Sequence, residues 1–170
     1  APSNVRFSRH AADRIARRGI QITPAELQRL DSAISQIEAR GGRACAQQVD
    51  LGDEASIAGM VEAAVRAFGG LDILHNNAAD SDPALMAADG PIVDLTTEVW
   101  DRNMRINLRG PMLGCKYAIP HMIRRGGGSI INTSSASGLT GDVIRAAYAA
   151  SFGVILAGIG LSRTPRRSEL

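Results

Sequence analysis

Leu27, Leu30, Ile34 and Ile37 recur at intervals of three and four residues, which puts them in one apolar stripe on a helix. The start of that helix is written just ahead of them. Thr23-Pro24-Ala25-Glu26 supplies a hydroxyl at the N-cap, a proline at the first helical position and a carboxylate three residues after the cap. A second stripe, Ile57, Val61, Ala64, Val65 and Phe68, predicts an amphipathic helix over 53–68, stopped by Gly69-Gly70. Between the two, Arg43–Val49 reads as a strand ending at Asp50. Leu71–His75 and Ser129–Thr133 are short apolar runs of the kind found in buried parallel strands. Residues 80–95, with Pro83, Gly90 and Pro91, read as a loop. A long helix over 96–125 should be kinked or divided at Pro111 and Pro120 and broken by Gly126-Gly127-Gly128. A last helix begins near Ala146. Ahead of everything, Val5–Phe7 is a short apolar run, and Ser8 can cap a helix over 9–18 that Gly19 ends.

This alternation of strands and helices predicts an α/β domain with parallel strands. The character of the chain changes near Ile37. The expected division is an N-terminal strand–helix–turn–helix segment (1–37), an α/β domain (38–161) and a basic tail (162–170).

Composition narrows the picture modestly. The chain has 170 residues, 45% of them apolar, enough for one domain with a real core. A formal net charge of +2 is too small to indicate a nucleic-acid partner by itself. No apolar run reaches the length of a membrane span and no signal peptide opens the sequence, so a cytoplasmic protein without a membrane partner is expected. Cys45 and Cys115 read as free buried thiols, and His10, His75 and His121 lack metal-ligand spacing. Basicity is almost all arginine, and Lys116 is the sole lysine.

The chemistry is concentrated in a few short runs. Asn76-Asn77-Ala78-Ala79 follows the strand at 71–75. Asn107 lies in Arg105-Ile106-Asn107-Leu108-Arg109-Gly110. Ser134-Ser135 follows the strand at 129–133, and Tyr148 comes thirteen residues after Ser135. Taken singly, a helical tyrosine usually packs, a serine after a strand usually caps a helix, and an asparagine pair usually makes a turn. Taken together and in this order, they resemble the short-chain dehydrogenase/reductase family.

That resemblance implies a partial Rossmann-like, doubly wound parallel sheet of three family strands with an N-terminal helical segment. It implies hydride transfer between NAD or NADP and a small carbonyl or alcohol compound, in a chain able to form a homo-oligomer. By motif, Tyr148 falls on the acid/base, Ser135 on the hydrogen-bond donor to the substrate oxygen, and Asn107 on the residue that holds a proton-relaying water. Asp50 with Leu51, the Asn77-Ala78-Ala79 turn and Ile106 fall on cofactor-binding positions.

The sequence departs from the family pattern in three places. Tyr148-Ala149-Ala150-Ser151-Phe152-Gly153-Val154 reads as the family text with its lysine deleted, which turns everything after Ser151 by about 100° around the helix axis. The glycine-rich turn that receives the pyrophosphate is missing from the sequence, and with it the residue that selects NAD or NADP. Family chains run on past the position matched by Leu170 and add two further strands and a substrate-covering segment. These departures predict a truncated or chimeric form with impaired or absent catalysis. Lys116, or an arginine such as Arg145, is a candidate replacement for the missing cation.

The alternative is a non-catalytic binding module for protein or DNA that uses the N-terminal helical segment, where Arg14, Arg17 and Arg18 lie near one face. Residues 5–37 also weakly resemble a small protein of bacterial flagellar operons, through Phe7-Ser8-Arg9-His10-Ala11, Asp13-Arg14, Arg18-Gly19-Ile20 and Leu27-Gln28-Arg29-Leu30.

Overall fold

The computed structural model describes residues 23–158. The expected strand at Val5–Phe7, the helix over 9–18 with its arginines, and the basic tail lie outside the described residues.

Helix α1 spans Pro24–Ala39. Its start is the capping box read from the sequence: the Glu26 N–H donates to Thr23 Oγ1 at 3.3 Å, and the Thr23 N–H donates to Glu26 Oε2 at 2.7 Å. Of the predicted stripe only Ile34 is buried, while Leu30 and Ile37 stay exposed. Helix α2, Glu54–Phe68, is capped by Asp53, which accepts from the Ser56 N–H at 2.7 Å, and it ends at Gly69 with φ of 81°. Only glycine adopts that left-handed conformation without strain.

Strands β1, Ile73–Asn76, and β2, Ser129–Asn132, pair in parallel with Leu74 opposite Ile130 and Asn76 opposite Asn132. Leu74 and Ile130 point into a core with Cys115, Ala118 and Met122. On the other face Ile73 and Ile131 remain 61% and 42% exposed.

Three expectations are corrected here. Arg43–Val49 is not a strand, so the described sheet has two strands rather than three. A strand exists by its ladder of inter-strand hydrogen bonds, and among the described residues the ladder joins β1 and β2 alone. It is tied down at one end instead: the Arg43 guanidinium donates to the Ala67 carbonyl at 2.6 Å and lies over the Phe68 ring. Cys45, within it, is exposed rather than buried, whereas Cys115 is buried as expected. The loop at 80–95 contains a helix, α3 (Pro83–Ala88), with Asp82 as N-cap and Pro83 at its start.

The long helix is one continuous rod with a wide-turned section inside it. Helix α4, Thr97–Asn103, passes into a π-helical stretch, Met104–Arg109, and then into α5, Gly110–Arg124. Pro111 has no N–H to return to the Asn107 carbonyl, so the α-type ladder fails there and the backbone bonds one residue further. The Gly110 N–H accordingly bonds to the Arg105 carbonyl. Pro120, in contrast, sits inside an unbroken α5.

A short helix α6, Ser137–Thr140, precedes α7, Ala146–Gly158. The first intrahelical bond of α7 runs from the Ala149 N–H to the Arg145 carbonyl, and the N–H groups ahead of it are taken from outside the helix. The buried carboxylate of Asp89 caps it, accepting from the Ala147 N–H at 3.0 Å and the Tyr148 N–H at 2.8 Å. Among the described residues no helix is long and apolar enough to cross a membrane.

Candidate active site

The three residues read as catalytic sit on three elements: Asn107 in the π-helical stretch, Ser135 in the turn after β2, and Tyr148 in the first turn of α7. Asn107 is 1% exposed and its side chain is fully committed. Its Oδ1 accepts from the Asp80 N–H at 2.8 Å. Its Nδ2 donates to Asn103 Oδ1 at 3.1 Å and to Ser151 Oγ at 3.4 Å. Ser151 in turn donates to the Tyr148 carbonyl at 2.8 Å. Asn107 therefore joins the loop after β1 to the tyrosine helix. The wide π turn is what carries a buried amide to that position.

The Ser135 turn rests directly on α7. Ser134 Oγ donates to the Phe152 carbonyl at 3.1 Å, and Ser135 Oγ accepts from the Ser137 N–H at 3.3 Å. A Cβ on Gly138 would lie 2.8 Å from the Gly153 nitrogen and from the Phe152 carbonyl carbon, so only glycine allows this approach.

Four residues after Tyr148, where one helical turn would return to the same face, stands Phe152. It is 5% exposed, with its ring centroid 4.7 Å from that of Tyr148 and the planes tilted by 54°. The cation at Tyr148 comes from the other direction. Arg145 holds its guanidinium 5.2 Å from the centre of the Tyr148 ring and pairs with Asp142 at 2.9 Å. Lys116 is engaged elsewhere, 2.7 Å from Glu54, beside Tyr117.

The cofactor-binding candidates divide into two groups. Asp50 and Ile106 line one polar cleft of about 360 Å³ with Gly52, Arg102 and Arg105. Leu51 packs against Gly110, where a Cβ would come within 3.4 Å of it, so this glycine draws the helix onto the Asp50 turn. Asn77 and Ala78 are exposed and Ala79 is half-buried; this turn is anchored just beyond its end through the Asp80 N–H to Asn107. Asp80 also receives Arg102 at 2.7 Å, and Arg102 reaches Asp82 at 2.9 Å. The Ala84 N–H, followed by Arg102, holds the Asp82 carboxyl below its usual range.

Four structural residues escaped the sequence reading: Asp80, Asp89, Asp142 and Ser151. The bonds of Asp80 and Asp89 to the site, and the contact of Ser151 with Asn107, run between residues far apart in sequence, and no local pattern marks them. Asp142 is different. Its place three residues before Arg145 is a legible ion-pair spacing.

A family profile described as short chain dehydrogenase matches residues 7–164. The chain belongs to the short-chain dehydrogenase/reductase family. A protein of Bradyrhizobium diazoefficiens described as a probable short-chain type dehydrogenase/reductase is 48% identical over 101 residues, covering 59% of this chain and 35% of that protein. Among solved structures, an NAD+-bound xylitol dehydrogenase superposes with a TM-score of 0.66 at 32% identity, over 75% of this chain and 47% of the other. A blue fluorescent protein from a metagenomic library, in complex with NADPH, gives 0.68 at 30% identity, over 81% and 53%. The chain thus spans about a third to a half of the length of these relatives, and its fold is the α/β Rossmann type of the short-chain reductases.

Proposed function

We propose that this chain carries the reductase half-site for a nicotinamide cofactor and a small carbonyl or alcohol compound, with turnover impaired by the residue at position 152. Tyr148 is the proton donor and acceptor, and Ser135 donates to the substrate oxygen. The side chain of Asn107 is used up by Asp80, Asn103 and Ser151. Its part in proton relay therefore passes through its backbone carbonyl, from which Pro111 withdraws the α-helical donor.

The cleft between Asp50 and Ile106 suits the adenosine end of NAD or NADP: a carboxylate to accept from an exocyclic amine, an apolar wall, and two arginines at the rim. When bound, the nicotinamide supplies or accepts the hydride. The relatives' NAD+ and NADPH complexes support both choices equally.

The observation that carries the impairment is the burial of Phe152 against Tyr148. The position one turn from the tyrosine holds an aromatic ring in the core, so it offers no ammonium to favour phenolate or to bind ribose hydroxyls.

Thermal unfolding with and without millimolar NADH or NADPH tests the cofactor part. A ligand at 100 times its Kd stabilises the native state by about 2.7 kcal/mol. A midpoint raised by one cofactor supports the reading, and an unmoved midpoint with both overturns it. NAD(P)H oxidation over an aldehyde and ketone panel tests the chemistry. Slow oxidation abolished by Tyr148→Phe is expected, and a rate untouched by that change removes Tyr148 from its role.

A further inference from the structure

We propose that Arg145, braced by Asp142, is a positioning residue that sets the Tyr148 ring relative to the Ser135 turn. The backbone at Tyr148 is already fixed by Asp89, which takes the N–H groups of Ala147 and Tyr148. What remains free is rotation of the side chain. Tyr148 lines a small space with Leu85, Met86 and Asn103, and two groups lie against its ring: the Phe152 ring at 4.7 Å and the Arg145 guanidinium at 5.2 Å, both measured to the centre of the Tyr148 ring.

An exposed arginine would restrain little, because its long side chain samples many rotamers. Arg145 is not of that kind. Its Nε and Nη2 both lie 2.9 Å from Asp142 Oδ2, and the side chain is 32% exposed. Asp142 is held in turn by the Ile144 N–H at 3.1 Å and by Ser137 Oγ at 3.4 Å. The Ser137 N–H donates to Ser135 Oγ at 3.3 Å. A chain of contacts therefore runs from Ser135 through Ser137, Asp142 and Arg145 to the Tyr148 ring. Its planar guanidinium lets Arg145 lie on the ring and keep its carboxylate partner together, which an ammonium does poorly.

The inference rests on reading Tyr148 as the acid/base, and its test separates the two. The sequence has two tyrosines, so ring-labelled 13C-tyrosine gives two sets of signals, assigned by Tyr148→Phe, with Tyr117 as internal control. In the unmodified chain the Arg145 δ-methylene protons are expected upfield from the ring current of Tyr148. Arg145→Met and the near-isosteric Asp142→Asn should each shift the Tyr148 ring signals and leave Tyr117 in place. Arg145→Lys should shift Tyr148 less than Arg145→Met does. Arg145 protons at ordinary positions in the unmodified chain would overturn the proposal without any variant. So would Tyr148 signals unmoved in a folded Arg145→Met or Asp142→Asn chain. In NAD(P)H oxidation, Arg145→Met should lower kcat about tenfold or more with the cofactor KM unchanged. If Tyr148→Phe leaves oxidation unchanged while the ring shifts appear, the catalytic reading fails and the clamp stands.

Discussion

Asn107 and Ser151 meet inside the core: the asparagine amide donates to the serine oxygen at 3.4 Å, and both side chains are buried. This contact couples the π-helical stretch to the tyrosine helix, because Ser151 passes the interaction to the Tyr148 carbonyl. The geometry of Tyr148 thus depends on a residue that never touches its ring.

Replacing Asn107 by leucine removes that coupling and strands the Asp80 N–H, Asn103 and Ser151 without their partner. Buried polar groups left unsatisfied cost more than a hydrogen bond gains. A loss of about 2–4 kcal/mol is expected in urea unfolding.

Phe152→Lys puts a lysine four residues after Tyr148, yet it should not restore activity. The position is buried against the Tyr148 ring, so the change deletes an aromatic contact and drives an ammonium into the core. A destabilisation of about 3–5 kcal/mol is expected. Chemical unfolding together with NAD(P)H oxidation checks both parts, and a stable Phe152→Lys chain with raised activity would contradict the structure.

Gly138→Ala tests the seating of the Ser135 turn. Its Cβ would lie 2.8 Å from backbone atoms of Phe152 and Gly153, which have no flexible end to move aside. The turn must lift from α7, at a cost of about 1–3 kcal/mol. A melting temperature within error of the parent would show that the turn adapts freely.

The Asp142 carboxyl is held below its ordinary value by the Ile144 N–H and then by Arg145. Its folded-state pKa lies below its unfolded value, so its contribution is present above the unfolded pKa, about 3.9, and is lost as pH falls through the folded value. The Arg145–Asp142 pair should therefore be intact at neutral pH and through mild acid. The Tyr148 ring signals should stay constant down to about pH 4 and move only below it. A shift between pH 5 and 7 that persists in Asp142→Asn would point to another group.

The parts of this protein legible in its sequence are those whose hydrogen bonds close within a few residues. The Thr23–Glu26 capping box fixes the start of α1 and the Gly69 stop the end of α2, from neighbouring residues alone. The order of Asn107, Ser135 and Tyr148 marks the family, because motifs are local text.

Tertiary structure decided the rest. Arg43–Val49 has the composition of a strand, but a ladder needs a neighbour, and neighbours are set by topology. Pro111 announces a disturbance, but only the folded helix shows it absorbed as a π-helical turn that carries Asn107 inward. The start of α7 is capped by Asp89 from 58 residues away. The missing lysine is visible in the sequence. That its place is filled by a buried ring, and that Arg145 lies on the tyrosine instead, follows from how α7 packs. Burial and long-range pairing belong to the assembled chain, and no stretch of sequence contains them on its own.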